Sequence, residues 1–224
     1  MKTFKVAIDG PSGAGKSTIA RAVSEKLGFV YIDTGAMYRS VGLFAYQNGV
    51  DPNDEAGLEK ILPGIEIDIS HIDGVQHIFL CGDDVSDKIR TPEMSMAASD
   101  VSRHGFVREK LTAMQKQLAQ TRDVVMDGRD IGTCVLPDAD VKIFLTASVT
   151  ARAERRCKEL VEKGQTVSLE EVAADIEKRD YNDSHREISP LKCADDATVI
   201  DTTDLSLKQS IDTVFKIITE RRGK

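Results

Sequence analysis

Apolar and polar positions follow two rhythms along this chain. Phe4–Ile8 is a short apolar run closed by Asp9, which predicts a buried strand entering a glycine-rich turn. Ile19, Ala20, Val23 and Leu27 recur at helical spacing through Lys16–Leu27, with Gly28 placed to end that helix. Phe29–Ile32 predicts a second strand and Gly35–Asn48 a second helix stopped near Gly49. Strand, loop, helix, strand is the order of a parallel βαβ unit. The middle departs from it. Ile65, Ile67 and Ile69 alternate with Glu66 and Asp68, and Asp73-Gly74 is a tight-turn signal. Val75–Leu80 is extended, and Gly82-Asp83 turns again before Val85. This predicts a small antiparallel hairpin or meander inserted into an α/β protein, either functional or a surface decoration.

Helical spacing resumes over Pro92–Ser102 and Phe106–Gln120. Val124–Met126 predicts a strand running into Asp127-Gly128-Arg129-Asp130, and Val141–Leu145 another. Helices are expected over Val149–Glu162 and Leu169–Asp180, the second opened by a Ser168-x-x-Glu171 capping box. Thr198–Ile200 predicts the last strand, and Ser206-x-x-Gln209 caps a final helix to about Arg221. The expected fold class is α/β, a doubly wound parallel sheet.

The 224 residues suit one α/β domain with a buried core. A formal net charge of −7 provides no general field for nucleic acid or anionic membranes, so neither is an expected partner. Any phosphate must then be met by locally placed Arg and Lys. Cys81, Cys134, Cys157 and Cys193 lie far apart without a C-x-x-C, which suits a reducing compartment rather than a zinc site or disulfide framework. Asp9 interrupts the first apolar run too early for a signal peptide, and no stretch approaches a membrane span; the expected location is cytoplasmic. With no heptad repeat or conspicuous apolar surface stripe, a monomer is expected.

Gly10-Pro11-Ser12-Gly13-Ala14-Gly15-Lys16-Ser17 fits the phosphate-loop pattern G-x-x-x-x-G-K-[ST] between an apolar strand and a helix. The glycines leave backbone N–H groups free to wrap phosphate oxygens, and the helix adds its positive N-terminus. Lys16 can reach the β- and γ-phosphates and the Ser17 hydroxyl can ligate magnesium. Asp127, after an apolar strand, is a candidate second magnesium-organising acid. No Asn-Lys pair of a guanine reader and no L-S-G-G-Q-like signature occurs.

Arginines gather at Arg39, at Arg129, and over Arg152, Arg155, Arg156, Arg179 and Arg186. Arg152, Arg155 and Arg156 share one helix face by spacing, either as a solvated face balanced by Glu154, Glu159 and Glu162 or as phosphate ligands. Transfer to an alcohol needs a base. Transfer to a phosphate monoester does not, because its second pKa is about 6, but it does need charge neutralisation between two polyanions. The arginine set therefore favours a nucleotide acceptor over a sugar or a shikimate-like alcohol.

Taken in order, Ile8–Ser17, Asp33-Thr-Gly-Ala-Met-Tyr-Arg39, Ile89-Arg90-Thr91, Ala97-Ala98-Ser99, Asp127-Gly128-Arg129-Asp130-Ile-Gly-Thr133, Lys142–Leu145 and Arg179-Asp180-x-x-Asp183-Ser184-x-Arg186 resemble the bacterial cytidylate kinases. The resemblance runs along essentially the whole chain, the insert around 64–86 included. It implies a five-stranded parallel core (about 1–34, 87–150 and 190–224), a monophosphate-binding region with the β insert (about 35–105) and an Arg-rich helical lid (about 151–189). The activity implied is transfer from ATP, with Mg2+, to CMP or dCMP. Gly10, Pro11, Ser12, Gly13, Ala14, Gly15, Lys16, Ser17, Thr18 and Arg155 would bind ATP. Arg39, Arg129, Arg179 and Arg186 would hold phosphates, with Lys16, Arg129, Arg179 and Arg186 catalytic and Asp183 near the sugar. Ser99, Arg108 and Asp130 would read cytosine, with Thr34 in the same pocket. Thr34 replaces a Ser of some relatives and keeps the hydroxyl; Ser17 stands where some have Gly, so its metal contact is dispensable in the family. A different small P-loop kinase, or a nucleotide-binding module without turnover, remains open on residues alone.

Overall fold

The computed structural model describes residues 3–72, 75–162 and 164–223, which form two compact units. The first takes in the chain up to Tyr31 and again from Arg122; the second is Ile32–Thr121. The Asp73-Gly74 turn predicted from sequence lies outside the described residues.

The first unit contains β1 (Lys5–Asp9), β6 (Val124–Gly128), β7 (Val141–Thr146), β8 (Thr198–Asp201) and the start of β2 (Val30–Asp33), whose last two residues fall in the second unit; the five strands form one sheet in the order β2-β6-β1-β7-β8. β1 pairs in parallel with both β6 and β7, and β7 with β8. β6 is buried along its whole length and β1 from Val6 onward, which is why both read as unbroken apolar runs. Carboxylates close the start of β1: the Phe4 N–H donates to Asp123 (2.7 Å) and the Lys5 N–H to Asp140 (2.9 Å). Helices α1 (Lys16–Leu27) and α8 (Leu207–Arg222) add Ile19, Val23, Val214 and Ile218 to a core with Val6, Ile8, Val125, Ile143 and Leu145. A fully buried aliphatic side chain of this kind contributes about 1.5–3 kcal/mol. Helices α6 (Val149–Glu162) and α7 (Leu169–His185) pair through Ala153, Leu160, Val172 and Ile176.

The second unit packs α2 (Thr34–Gln47), α3 (Glu55–Ile61), α4 (Pro92–Val101) and α5 (Gly105–Leu118) with an antiparallel sheet of β3 (Ile67–Ile72), β4 (Val75–Leu80) and β5 (Asp83–Asp84). Met37, Val41, Leu58, Ile67, Ile78, Leu80 and Leu111 form its core, so the expected antiparallel insert is folded into that core.

Three features differ from the sequence reading. α3 was not foreseen; it is seven residues long, buries only Leu58 and leans on its N-cap, Asp54, which accepts from the Gly57 N–H at 3.1 Å. α7 runs five residues beyond Asp180, to His185, and carries the buried Asp183 in its last turns. A turn of π-helix at Ile131–Val135 follows β6, and its cause is the buried Asp9, described below.

Candidate active site

The turn from β1 to α1 carries the phosphate-loop motif. Gly10 has φ +147°, and a Cβ there would lie 2.0 Å from the Leu145 carbonyl oxygen, so only glycine fits. Gly13 and Gly15 are left-handed, and α1 starts at Lys16 with Ser17 and Thr18 exposed in its first turn. The N–H groups of that turn face outward unpaired by helix geometry. Lys16 is buried, and its Nζ donates to the Pro11 carbonyl at 2.7 Å. Burial, and then the neighbouring charge of Arg129, pull its ammonium pKa down to about 7.

Sheet order brings Asp127 to this loop, since β1 and β6 are neighbours with Ile8 opposite Asp127. Ser17 Oγ donates to Asp127 Oδ2 (2.8 Å) and the Tyr31 hydroxyl to Oδ1 (2.9 Å). A hydroxyl and a carboxylate 110 residues apart in sequence are thereby paired. These are the hard oxygen donors that magnesium prefers.

Beyond Asp127, Arg129 Nε donates to Asp183 at 2.7 Å, and Arg186 lies 3.7 Å from both Asp183 and Asp130. Arg179 adds its charge to Asp183. Burial opposes ionisation of Asp183, but Arg129, Arg186 and Arg179 together hold its carboxyl below the usual range. The Asp9 carboxylate accepts from the N–H groups of Ile131 (2.8 Å) and Gly132 (2.7 Å), fixing the π-turn that follows Asp130. Burial pushes Asp9 up to about 6 despite those two bonds.

The face of Arg152, Arg155 and Arg156 divides three ways. Arg152 is buried, donating to the carbonyls of Ala147 (2.9 Å) and Ser12 (2.8 Å) and pairing with Asp180 at 2.6 Å. Asp180 also accepts from the Ser12 N–H at 3.2 Å, tying α7 to the phosphate loop. Arg155 turns to Thr202 Oγ1 (3.1 Å) and the Thr202 carbonyl. Arg156 pairs with exposed Glu159 at 3.1 Å, the solvated arrangement.

The second unit holds the other predicted residues. Thr34 is the buried first residue of α2. Arg39, one turn on, donates from Nη2 to Asp33 Oδ2 at 2.9 Å, while its Nε is buried with no hydrogen-bond partner. Burial works against the Asp33 charge, yet Arg39 and the Ala36 N–H hold that carboxyl below its ordinary pKa. The Ser99 hydroxyl is buried and likewise has no hydrogen-bond partner. Arg108 is buried with its guanidinium 5.6 Å from the centre of the Tyr38 ring.

Sequence reasoning named the arginines but not the carboxylates and the phenol that hold the site: Asp9, Tyr31, Asp33 and Asp180. Asp33 was readable as an N-cap. The bonds between Asp9 and Ile131, Tyr31 and Asp127, and Asp180 and Ser12 span 96 to 168 residues, beyond the reach of local pattern, while Arg152, the other partner of Asp180, lies on the preceding helix.

The family model for cytidylate kinase matches residues 6–220. The cytidylate kinase of Caldicellulosiruptor bescii is 51% identical over 217 residues, covering 97% of this chain and 96% of that protein. That of Lactobacillus johnsonii is 50% identical over 219 residues, covering 98% and 95%. Among solved structures, an uncharacterized protein from Eubacterium ventriosum aligns over 100% of both chains with a TM-score of 0.53 at 14% identity, a likeness of fold alone. Among the described residues no helix is long and apolar enough to cross a membrane. With the phosphate loop formed and relatives matched over nearly the full length, the chain belongs to the cytidylate kinase family.

Proposed function

We propose that this protein transfers the γ-phosphoryl group of ATP directly to CMP or dCMP, giving ADP and CDP or dCDP, as a cytoplasmic monomer in pyrimidine nucleotide metabolism. The observation that carries the reading is the formed phosphate loop, in which buried Lys16 reaches back to the Pro11 carbonyl at 2.7 Å and Ser17 pairs with Asp127 at 2.8 Å.

The loop from Gly10 to Thr18 and Arg155 are assigned to ATP, and Lys16 to the migrating phosphoryl group. Arg129, Arg179 and Arg186 neutralise the charge that develops as donor and acceptor approach. Asp183 orients these guanidinium groups and meets the sugar; α6 and α7, within a lid of about residues 151–189, exclude water when they close. No general base is assigned, because the acceptor phosphate is already ionised at neutral pH. Ser17 and Asp127 would hold Mg2+, directly or through water; when bound, the ion neutralises and orients the transferred phosphates. In the second unit, Arg39 serves the acceptor phosphate, Ser99 and Arg108 the cytosine, with Thr34 beside them. Asp130 accepts from the cytosine amino group. The unpartnered Ser99 hydroxyl and Arg39 Nε support these assignments as donors left over for a ligand.

An ADP-release assay across CMP, dCMP, UMP, AMP, GMP and shikimate tests the reading, with the cytidine nucleotides expected to be preferred. Lys16→Ala should lower kcat by about a thousandfold or more without unfolding the protein. A folded Lys16→Ala protein with near-normal kcat, or a preference for AMP or shikimate, would overturn it.

A further inference from the structure

The inserted antiparallel sheet breaks its own pattern at one position. In β4 the inward positions are Gln76, Ile78 and Leu80, so a glutamine takes a slot that the alternation reserves for an apolar residue. Such a breach of pattern needs a partner, and Gln76 has one: its Oε1 accepts from the Asp33 backbone N–H at 2.9 Å, with both groups buried. Asp33 is the last residue of β2 and the N-cap of α2. Its Oδ1 accepts from the Ala36 N–H at 2.9 Å and its Oδ2 from Arg39 at 2.9 Å. Gly35 completes the arrangement, because a Cβ there would meet Arg39 Nη1 at 3.0 Å and Asp33 Oδ1 at 3.2 Å.

We propose that Gln76 is a positioning residue for the acceptor phosphate: it holds the Asp33 backbone, and Asp33 aims the Arg39 guanidinium. The inference rests on the assignment of Arg39 to that phosphate. It gives the insert a working role, since β4 supplies the acceptor for this N–H. The chain from Gln76 through Asp33 to Arg39 uses one backbone bond and one ion pair, so a small shift of β4 is passed to the guanidinium.

Gln76→Met keeps volume and removes the acceptor. It should raise the KM for CMP about tenfold while the KM for ATP stays within about twofold, an effect of the size expected when a binding group is displaced. Ile78→Val, on the same strand, loosens packing without touching Asp33 and should lower the melting temperature with the CMP KM unchanged. Arg39→Ala, run in parallel, separates the two layers of the argument. A wild-type CMP KM in Arg39→Ala would sink the assignment of Arg39. A raised CMP KM in Arg39→Ala together with a wild-type value in Gln76→Met would sink the role of Gln76 alone. Should Gln76→Met fail to fold, Gln76→Glu keeps an oxygen for the Asp33 N–H but sets a second negative charge to compete for Arg39. It too should raise the CMP KM selectively, and an unchanged value would overturn the inference.

Discussion

In the proposed reading, Asp130 is the residue that selects the base. Its carboxylate is buried and lies 3.7 Å from Arg186, and a carboxylate accepts hydrogen bonds, which suits the amino group of cytosine and opposes the carbonyl of uracil. Leaving two acceptors face to face costs roughly 1–3 kcal/mol, or about ten- to a hundredfold in discrimination. Asp130→Asn should therefore narrow the CMP:UMP ratio of kcat/KM, because an amide can offer its donor to uracil. Ser99→Ala should narrow it less. Equal loss on both substrates would instead mark Asp130 as an anchor for Arg186. The side chains grouped here were legible in the sequence because the motifs Asp127–Thr133 and Arg179–Arg186 are continuous. The supports were not: Asp9 looks like an ordinary strand end until Ile131 and Gly132 are seen to donate to it from 122 and 123 residues away.

Elements with local signatures were legible to within a residue or two. α1 and α6 have the boundaries that their apolar spacing predicts, and both capping boxes close as expected. In α8, Ser206 Oγ accepts from the Gln209 N–H at 3.3 Å while the Gln209 side chain accepts from the Ser206 N–H at 2.9 Å. Ser206→Ala should cost about 1 kcal/mol of unfolding free energy, read by urea denaturation, with Ser206→Asp recovering most of it. A loss near zero would mean that packing of Val214 and Ile218 alone fixes α8. Less legible were elements whose cause lies elsewhere in the chain. α3 is too short to show a period, the last turns of α7 carry a buried carboxylate, and the π-turn answers to Asp9.

At the scale of the whole molecule, Asp9 makes stability depend on pH in an unusual direction. Its folded pKa of about 6 lies above the ordinary 3.8, chiefly through burial, so the folded state binds this proton more tightly than the unfolded chain does. The group's stabilising contribution is complete below about pH 4 and is lost as pH rises through about 6, a change of about 3 kcal/mol. Asp33 and Asp183, whose pKa values are lowered, act in the opposite sense at lower pH, so the measurement must be a difference between two proteins. The unfolding free energy of the wild type minus that of Asp9→Asn should fall between pH 4 and pH 7. A difference that stays flat would show that Asp9 titrates normally. The sheet order has a different consequence, one of timing. β1 is flanked by β6 and β7, and its first contact with the β6 segment joins residues 119 apart. At ordinary translation rates of about 5–20 residues per second, β1 leaves the ribosome on the order of ten seconds before either neighbour exists. During that interval both edges of Val6, Ala7 and Ile8, all fully buried in the finished protein, are open to whatever strand the cell presents first.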